Sequence, residues 1–238
     1  MKRTALTASA LSLLAVSTLT ACGGDKEADN STGEPRPATS QAQQVTPEQQ
    51  LAKLMVRQAD VDGFSVDEPS DEFVFAKSPE EVKVDEPACA PLAYAMNQLP
   101  LGDPTADLTR VLSKGLNDAH TYITLTAYEA GAAQPTLAEV RKAVAACGDG
   151  FTAKASGGTS AYDSVTEEEV GPAGDETLGF KATMTFRGAS HTLHTQVVRK
   201  ADVLGVYFSV NGVDIAQAKP SDAELPAAVV KAQNAKLG

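Results

Sequence analysis

One stretch constrains the fold more than any other. From Leu178 to Phe186, the residues Leu178, Phe180, Ala182, Met184 and Phe186 alternate with Gly179, Lys181, Thr183 and Thr185. Period-two alternation marks a strand with one buried and one open face. Arg187-Gly188-Ala189 then turns the chain, and His191 to Val198 is placed to return antiparallel. A hairpin of this kind needs partners to cover its apolar side. Further strands are expected over Leu108–Leu112, His120–Tyr128, Phe151–Ala155, Tyr162–Val170 and Leu204–Val210, with a shorter extended piece at Phe64–Val66 and another strand over Glu72–Lys77. The His120–Tyr128 run is rich in β-branched and aromatic residues, which suit a pleated, half-buried surface.

Helices are interspersed. Thr46-Pro47-Glu48-Gln49 is a capping signal that opens a helix fading near Asp60, with Leu51, Leu54 and Met55 on one face. Pro87 to Leu99 carries Cys89, Leu92, Ala93, Met96 and Leu99 on a shared stripe. Thr136-Leu137-Ala138-Glu139 reads as a second capping box, opening a helix that ends at Gly148. Ser221 with Glu224 reads as a third, ahead of Leu225, Val229 and Val230. Helices interleaved with an antiparallel sheet make the fold class α+β, in a single domain over residues 46–238.

What precedes that domain has a different character. Lys2 and Arg3 are followed by an uncharged run, Ala5 to Ala21, which is short for a membrane span. Leu19-Thr20-Ala21-Cys22 resembles a bacterial lipobox, so residues 1–21 are expected to be a cleaved signal peptide and Cys22 to carry the lipid. The alternative is an ordinary secretory leader with an incidental cysteine. Residues 22–45 are polar and poor in aliphatic side chains, a composition that makes a flexible tether. Loss of Lys2 and Arg3 with the leader would add two negative units to a formal net charge of −11. Such acidity disfavours nucleic acid and anionic lipid surfaces as partners, so attachment to the cell membrane would be covalent, through palmitate-type acylation on the extracytoplasmic face.

Two cysteines remain, Cys89 and Cys147. In an exported domain an even pair forms one disulfide most simply, although two separate buried thiols fit the same count. No Cys-x-x-Cys redox motif is present.

The order of features resembles the PknH-like extracellular domain family. The resemblance rests on the helix around Cys89-Ala90-Pro91-Leu92, the strand leading to Tyr128, the helix ending in Ala146-Cys147, and Gly174-Asp175-Glu176 followed by two long strands and Val197-Val198-Arg199-Lys200. It spans about residues 50–235. It implies helices packed on a curved antiparallel sheet with a solvent-accessible cleft, a Cys89–Cys147 pairing, and ligand sensing or binding outside the cell. The chain departs from the kinase sensors of that family, which look to have two disulfides, and it carries no kinase signature.

Motifs for chemistry are sparse. The histidines are His120, His191 and His194. His191 and His194 sit three apart in a strand, which puts them on opposite faces, one solvated and one on the sheet surface. Glu167-Glu168-Glu169 reads as a solvated edge, and Gly171-Pro172-Ala173-Gly174-Asp175 as a turn or a cleft rim. No nucleophile elbow, phosphate loop, zinc-protease helix or calcium loop occurs, and nothing calls for a metal or cofactor. The expected function is therefore a non-catalytic ligand-binding or sensing module for a small molecule, lipid or protein. The alternatives are an accessory scaffold that engages an envelope partner through an apolar patch, and a hydrolase.

Overall fold

The computed structural model describes residues 45–70 and 74–238. The expected leader, Cys22 and all of the tether but Val45 lie outside the described residues. The strands are β1 (Ser65–Asp67), β2 (Lys83–Val84), β3 (Ala106–Ser113), β4 (His120–Ala127), β5 (Phe151–Ala155), β6 (Gly158–Glu168), β7 (Glu176–Phe186), β8 (Ala189–Lys200), β9 (Val203–Val210) and β10 (Ser221–Ala223). The helices are α1 (Pro47–Leu54), α2 (Ala90–Ala95), α3 (Ala133–Ala146), α4 (Gly212–Ala216) and α5 (Ala227–Leu237).

All the described strands join one sheet in the order β1-β3-β4-β9-β8-β7-β6-β5-β2, antiparallel throughout that path. The β7–β8 hairpin is paired along its whole length, from Glu176↔Arg199 to Phe186↔Ala189. β9 accompanies β8 only from Lys200 back to Thr195. Beyond that point β10 takes its place, running parallel to β8 with Ser221 opposite His191.

Each face of this sheet is covered by helices, so the domain has two apolar cores. One gathers Leu92 and Ala93 of α2, Leu137, Val140 and Val144 of α3, and Leu178, Phe180, Val197 and Val206 from the sheet. The other gathers Leu51 of α1, Val229 and Leu237 of α5, and Leu112, Ile123, Leu125, Val198 and Tyr207. A sheet enclosed in this way buries both faces of its central strands, which is why β8 and β9 lack the clean alternation of β7. The Cys89–Cys147 disulfide, with Cα atoms 5.9 Å apart, ties the approach to α2 to the end of α3. Closing a loop of 58 residues stabilises by about 4 kcal/mol in the chain-entropy picture.

Several helix boundaries differ from the sequence expectation, each for a local reason. α1 has the anticipated capping box, with Thr46 Oγ1 accepting from Gln49 N–H and Gln49 Oε1 accepting from Thr46 N–H. It stops at Leu54 and not near Asp60, because buried Gln233 of α5 takes over its end. Gln233 Nε2 donates to Leu54 O and its Oε1 accepts from Val56 N–H, both at 2.8 Å. The helix expected over Pro87–Leu99 is a 3-10 turn (Pro87–Cys89) and a six-residue α2, since Pro91 removes an amide donor and Gln98 enters the left-handed region at φ 60°. α3 starts at Ala133, a turn ahead of the expected box. Pro135 is tolerated in its first turn, and Thr136 Oγ1 donates back to Ala132 O.

Ser221 does not start the last helix. Pro226 restricts Leu225 to extended backbone, so residues 221–223 form β10 and α5 begins at Ala227. Of the strand expected over Glu72–Lys77, residues 71–73 lie outside the described residues and Val74–Lys77 are irregular. Phe75 O there accepts from Gly157 N–H at 2.9 Å. A Cβ at position 157 would come within 2.7 Å of that carbonyl, so only glycine permits the approach.

Candidate functional site

A cleft opens on the α2/α3 side of the sheet, where β8 and β9 diverge. Its floor follows from strand alternation: Tyr122 of β4 lies directly opposite Phe208 of β9, and Leu193 of β8 lies two residues from Thr195, the other register partner of Phe208. The Tyr122 and Phe208 rings stack, with centroids 5.0 Å apart and planes 14° from parallel. Such pairing adds about 0.5–1.5 kcal/mol beyond simple burial and holds the two rings as a flat platform. Met184 and Phe186 of β7 form one wall, and Ile215 of α4 contributes to the lining. The space is about 240 Å³, enough for a single ring or a short acyl segment.

Asn97, Gln98, Thr159, Ser160 and the Tyr122 and Tyr162 hydroxyls supply its polar lining. Asn97 Nδ2 donates to Ala93 O at 2.7 Å and lies 3.4 Å from the Tyr162 hydroxyl. Burial raises the pKa of the Tyr162 and Tyr122 phenols, so both stay neutral donors. Asn97 and the left-handed Gln98 also belong to an adjoining groove of about 800 Å³ lined by Glu68, Lys77, Glu80, Asp103 and Arg110. That groove is larger and charged. The cleft is the better ligand site because a stacked aromatic floor and apolar side chains stand beside a few hydrogen-bonding groups.

The histidines are placed differently from expectation. β8 alternation does put His191 and His194 on opposite faces, but neither is solvated: they are 1% and 8% exposed. His191 lies on the cleft side, with Nδ1 2.9 Å from Ser221 Oγ. This is a nucleophile beside a base, but His191 Nε2 has no partner among the described residues, so the carboxylate that would orient a hydrolytic triad is missing. His194, on the α1/α5 side, spans two carboxylates, with Nδ1 2.8 Å from Glu168 Oε2 and Nε2 2.7 Å from Asp222 Oδ1. Glu168 is thus an ion-pair partner and not merely a solvated edge, while Glu167 reaches Arg141 at 4.0 Å. No group of histidine, cysteine and carboxylate side chains among the described residues has the geometry to hold a metal.

The Gly171–Asp175 segment is a pinned turn. Thr177 Oγ1 donates to Ala173 O and accepts from Ala173 N–H, while Asp175 accepts from Ala201 N–H at 2.7 Å and from Arg199 Nη1 at 3.2 Å. That backbone amide, with Lys200 and Arg199 nearby, lowers the Asp175 pKa. Arg199 also grips Glu176, through Nε at 3.1 Å and Nη2 at 2.9 Å. Tyr122, Phe208 and Ile215 were not legible as site residues, because the first two read only as strand formers and α4 was not expected. The aromatic content of two separate strands was the one available hint.

No helix among the described residues is long and apolar enough to cross a membrane. No family model matches the chain, and no curated protein matches it. Among solved structures, the crystal structure of the extracellular domain of PknH from Mycobacterium tuberculosis is similar over 82% of this chain and 95% of that one, with a TM-score of 0.48 and 12% sequence identity. That likeness is weak, and no sequence comparison supports the family expected from the order of features.

Proposed function

We propose that this chain is a non-catalytic binding or sensing module of the extracytoplasmic face, held to the membrane by a lipid on Cys22, and that it takes a small, mainly apolar ligand in the cleft over Tyr122 and Phe208. The cleft carries this reading: a stacked aromatic floor, with Met184, Phe186 and Leu193 around it and hydrogen-bonding groups from Asn97, Thr159 and Ser160 in the same lining. A scaffold that docks through an apolar patch is less well supported. Among the described residues the exposed large apolar side chains are Val45 and Leu116, and two side chains do not make a patch of several hundred Å². Hydrolysis is less well supported again, because the His191–Ser221 pair lacks an orienting carboxylate and its base is buried.

Native mass spectrometry of the protein released from its host envelope tests the binding arm. The wild-type chain is expected to retain a small apolar molecule, and Phe208→Ala to lose most of that loading. A wild-type protein that carries nothing, or a variant loaded like wild type, counts against the cleft. Labelled palmitate tests the anchor: incorporation is expected in the wild type and lost in Cys22→Ser, and absence of label from both would remove the lipoprotein reading.

A further inference from the structure

On the opposite face of the sheet, between the end of β6, β8 and the start of α5, lies a second cavity of about 250 Å³. Its polar lining is Glu168, His194, Gln196 and Glu224, and Val170, Leu225 and Val230 close the sides. In register, Glu168 and Gln196 lie on either side of Gly179 of β7. A Cβ at position 179 would come 2.5 Å from both Glu168 O and Val170 Cγ1, so the missing side chain is what lets Val170 close that wall.

Gln196 is the informative residue. It is 3% exposed, and its buried Nε2 has no hydrogen-bond partner among the described residues. Leaving such a donor unpaired is a standing cost, so a side chain kept there against that cost points to an acceptor that arrives from outside. A second source of donors adjoins it. α5 opens at Ala227, which lines the cavity, and its N-cap, Pro226, supplies no side-chain acceptor for the first-turn amides.

The charges decide what kind of acceptor fits. Glu168 and Asp222 bracket a single histidine, Glu224 lines the same cavity, and the chain as a whole is acidic, so an anion is repelled. An ammonium group would meet the Gln196 amide donor, His194 and the positive end of α5 in the same lining. A purely apolar molecule would leave Gln196 unpaired. Hydroxyl groups satisfy both kinds of lining, since each donates one hydrogen bond and accepts two. We infer that this cavity binds a small, neutral, polyhydroxylated ligand of the size of one sugar ring, with Gln196 donating to a ligand oxygen and Glu224 accepting from a ligand hydroxyl.

The test is an NMR titration of the full chain, in its lipidated form, with methyl β-D-glucopyranoside, the corresponding glucuronide and the corresponding glucosaminide. Gln196 side-chain amide signals are assigned by their loss in Gln196→Leu. The neutral glycoside is expected to shift those signals saturably and to bind more tightly than either charged analogue. Gln196→Leu is expected to weaken it about tenfold, the value of one hydrogen bond, and to raise the thermal midpoint of the ligand-free protein by removing an unpaired donor. Glu224→Ala, at an exposed position, is expected to weaken it about threefold. Absence of any Gln196 shift with all three sugars at about 100 mM, tighter binding of a charged analogue, or unchanged affinity in Gln196→Leu would each overturn the proposal.

Discussion

His194 should make the stability of the domain depend on pH in a direction that can be stated in advance. A neutral imidazole has one N–H, yet both ring nitrogens lie within 2.8 Å of a carboxylate oxygen. Both contacts are attractive only in the imidazolium form. Burial of the ring opposes that charge, but hydrogen bonding and Coulomb attraction from Glu168 and Asp222 outweigh it, and the pKa is raised above 6.5. Lys181, opposite in register on β7, and Glu224 beside the same cavity are the other charged groups near it. A pKa higher in the folded than in the unfolded state gives stabilisation that is whole below the unfolded value, about pH 6.5, and lost as pH rises through the folded value. The Glu168 contact, with that carboxylate side chain 29% exposed, is worth about 1.5 kcal/mol, near the low end for a shielded charge-assisted bond. The Asp222 contact, 66% exposed, adds about 0.5 kcal/mol. His194→Gln should therefore cost about 2 kcal/mol at pH 6 and much less at pH 9. Urea unfolding of wild type and variant across that range, with the disulfide intact, measures the difference. Parallel pH profiles for the two proteins, or a gap that widens toward alkaline pH, would refute the reasoning.

Three further outcomes follow from other contacts. Replacing Cys89 and Cys147 together by alanine should lower unfolding free energy by about 4 kcal/mol in urea titration, and a loss under about 1 kcal/mol would mean the bridge adds little. Gln233→Leu leaves Leu54 O and Val56 N–H unpaired in the core, so it should cost about 3 kcal/mol and speed amide exchange at Val56; unchanged exchange there would contradict the capping role. Gln98→Gly relieves a left-handed side chain at the end of α2 and should raise unfolding free energy by about 0.5 kcal/mol, measured by the same titration, whereas destabilisation would show that Gln98 makes contacts that outweigh its strain.

The fold was legible where burial is one-sided and local. β7 has one apolar and one polar row, so its alternation shows in the sequence and its hairpin partner could be placed. Helix starts were harder, because a cap is a local preference and tertiary contacts outrank it. Ser221 and Glu224 have the right spacing for a capping box, yet the Ser221 hydroxyl is engaged by His191 and Pro226 blocks the helix from running through. The sites were less legible still. The partners of His194 come from β6 and β10, and the stacked rings of the cleft from β4 and β9, so no local spacing could announce them. Cys89 and Cys147 were the exception, since counting and compartment sufficed to suggest a pair that the structure joins.

The substitution of β10 for β9 beside the first half of β8 bears on how the chain matures. Until residues 221–223 have emerged, β8 from His191 to Leu193 has an open hydrogen-bonding margin, and the side later covered by α5 lacks Val229, Gln233 and Leu237. A polypeptide stalled or clipped before that point would present a sticky ribbon to its neighbours. The segment from β10 through α5 thus acts as a latch on a sheet whose other strands all precede it, and aggregation of chains truncated just ahead of Ser221 is where its absence should first be felt.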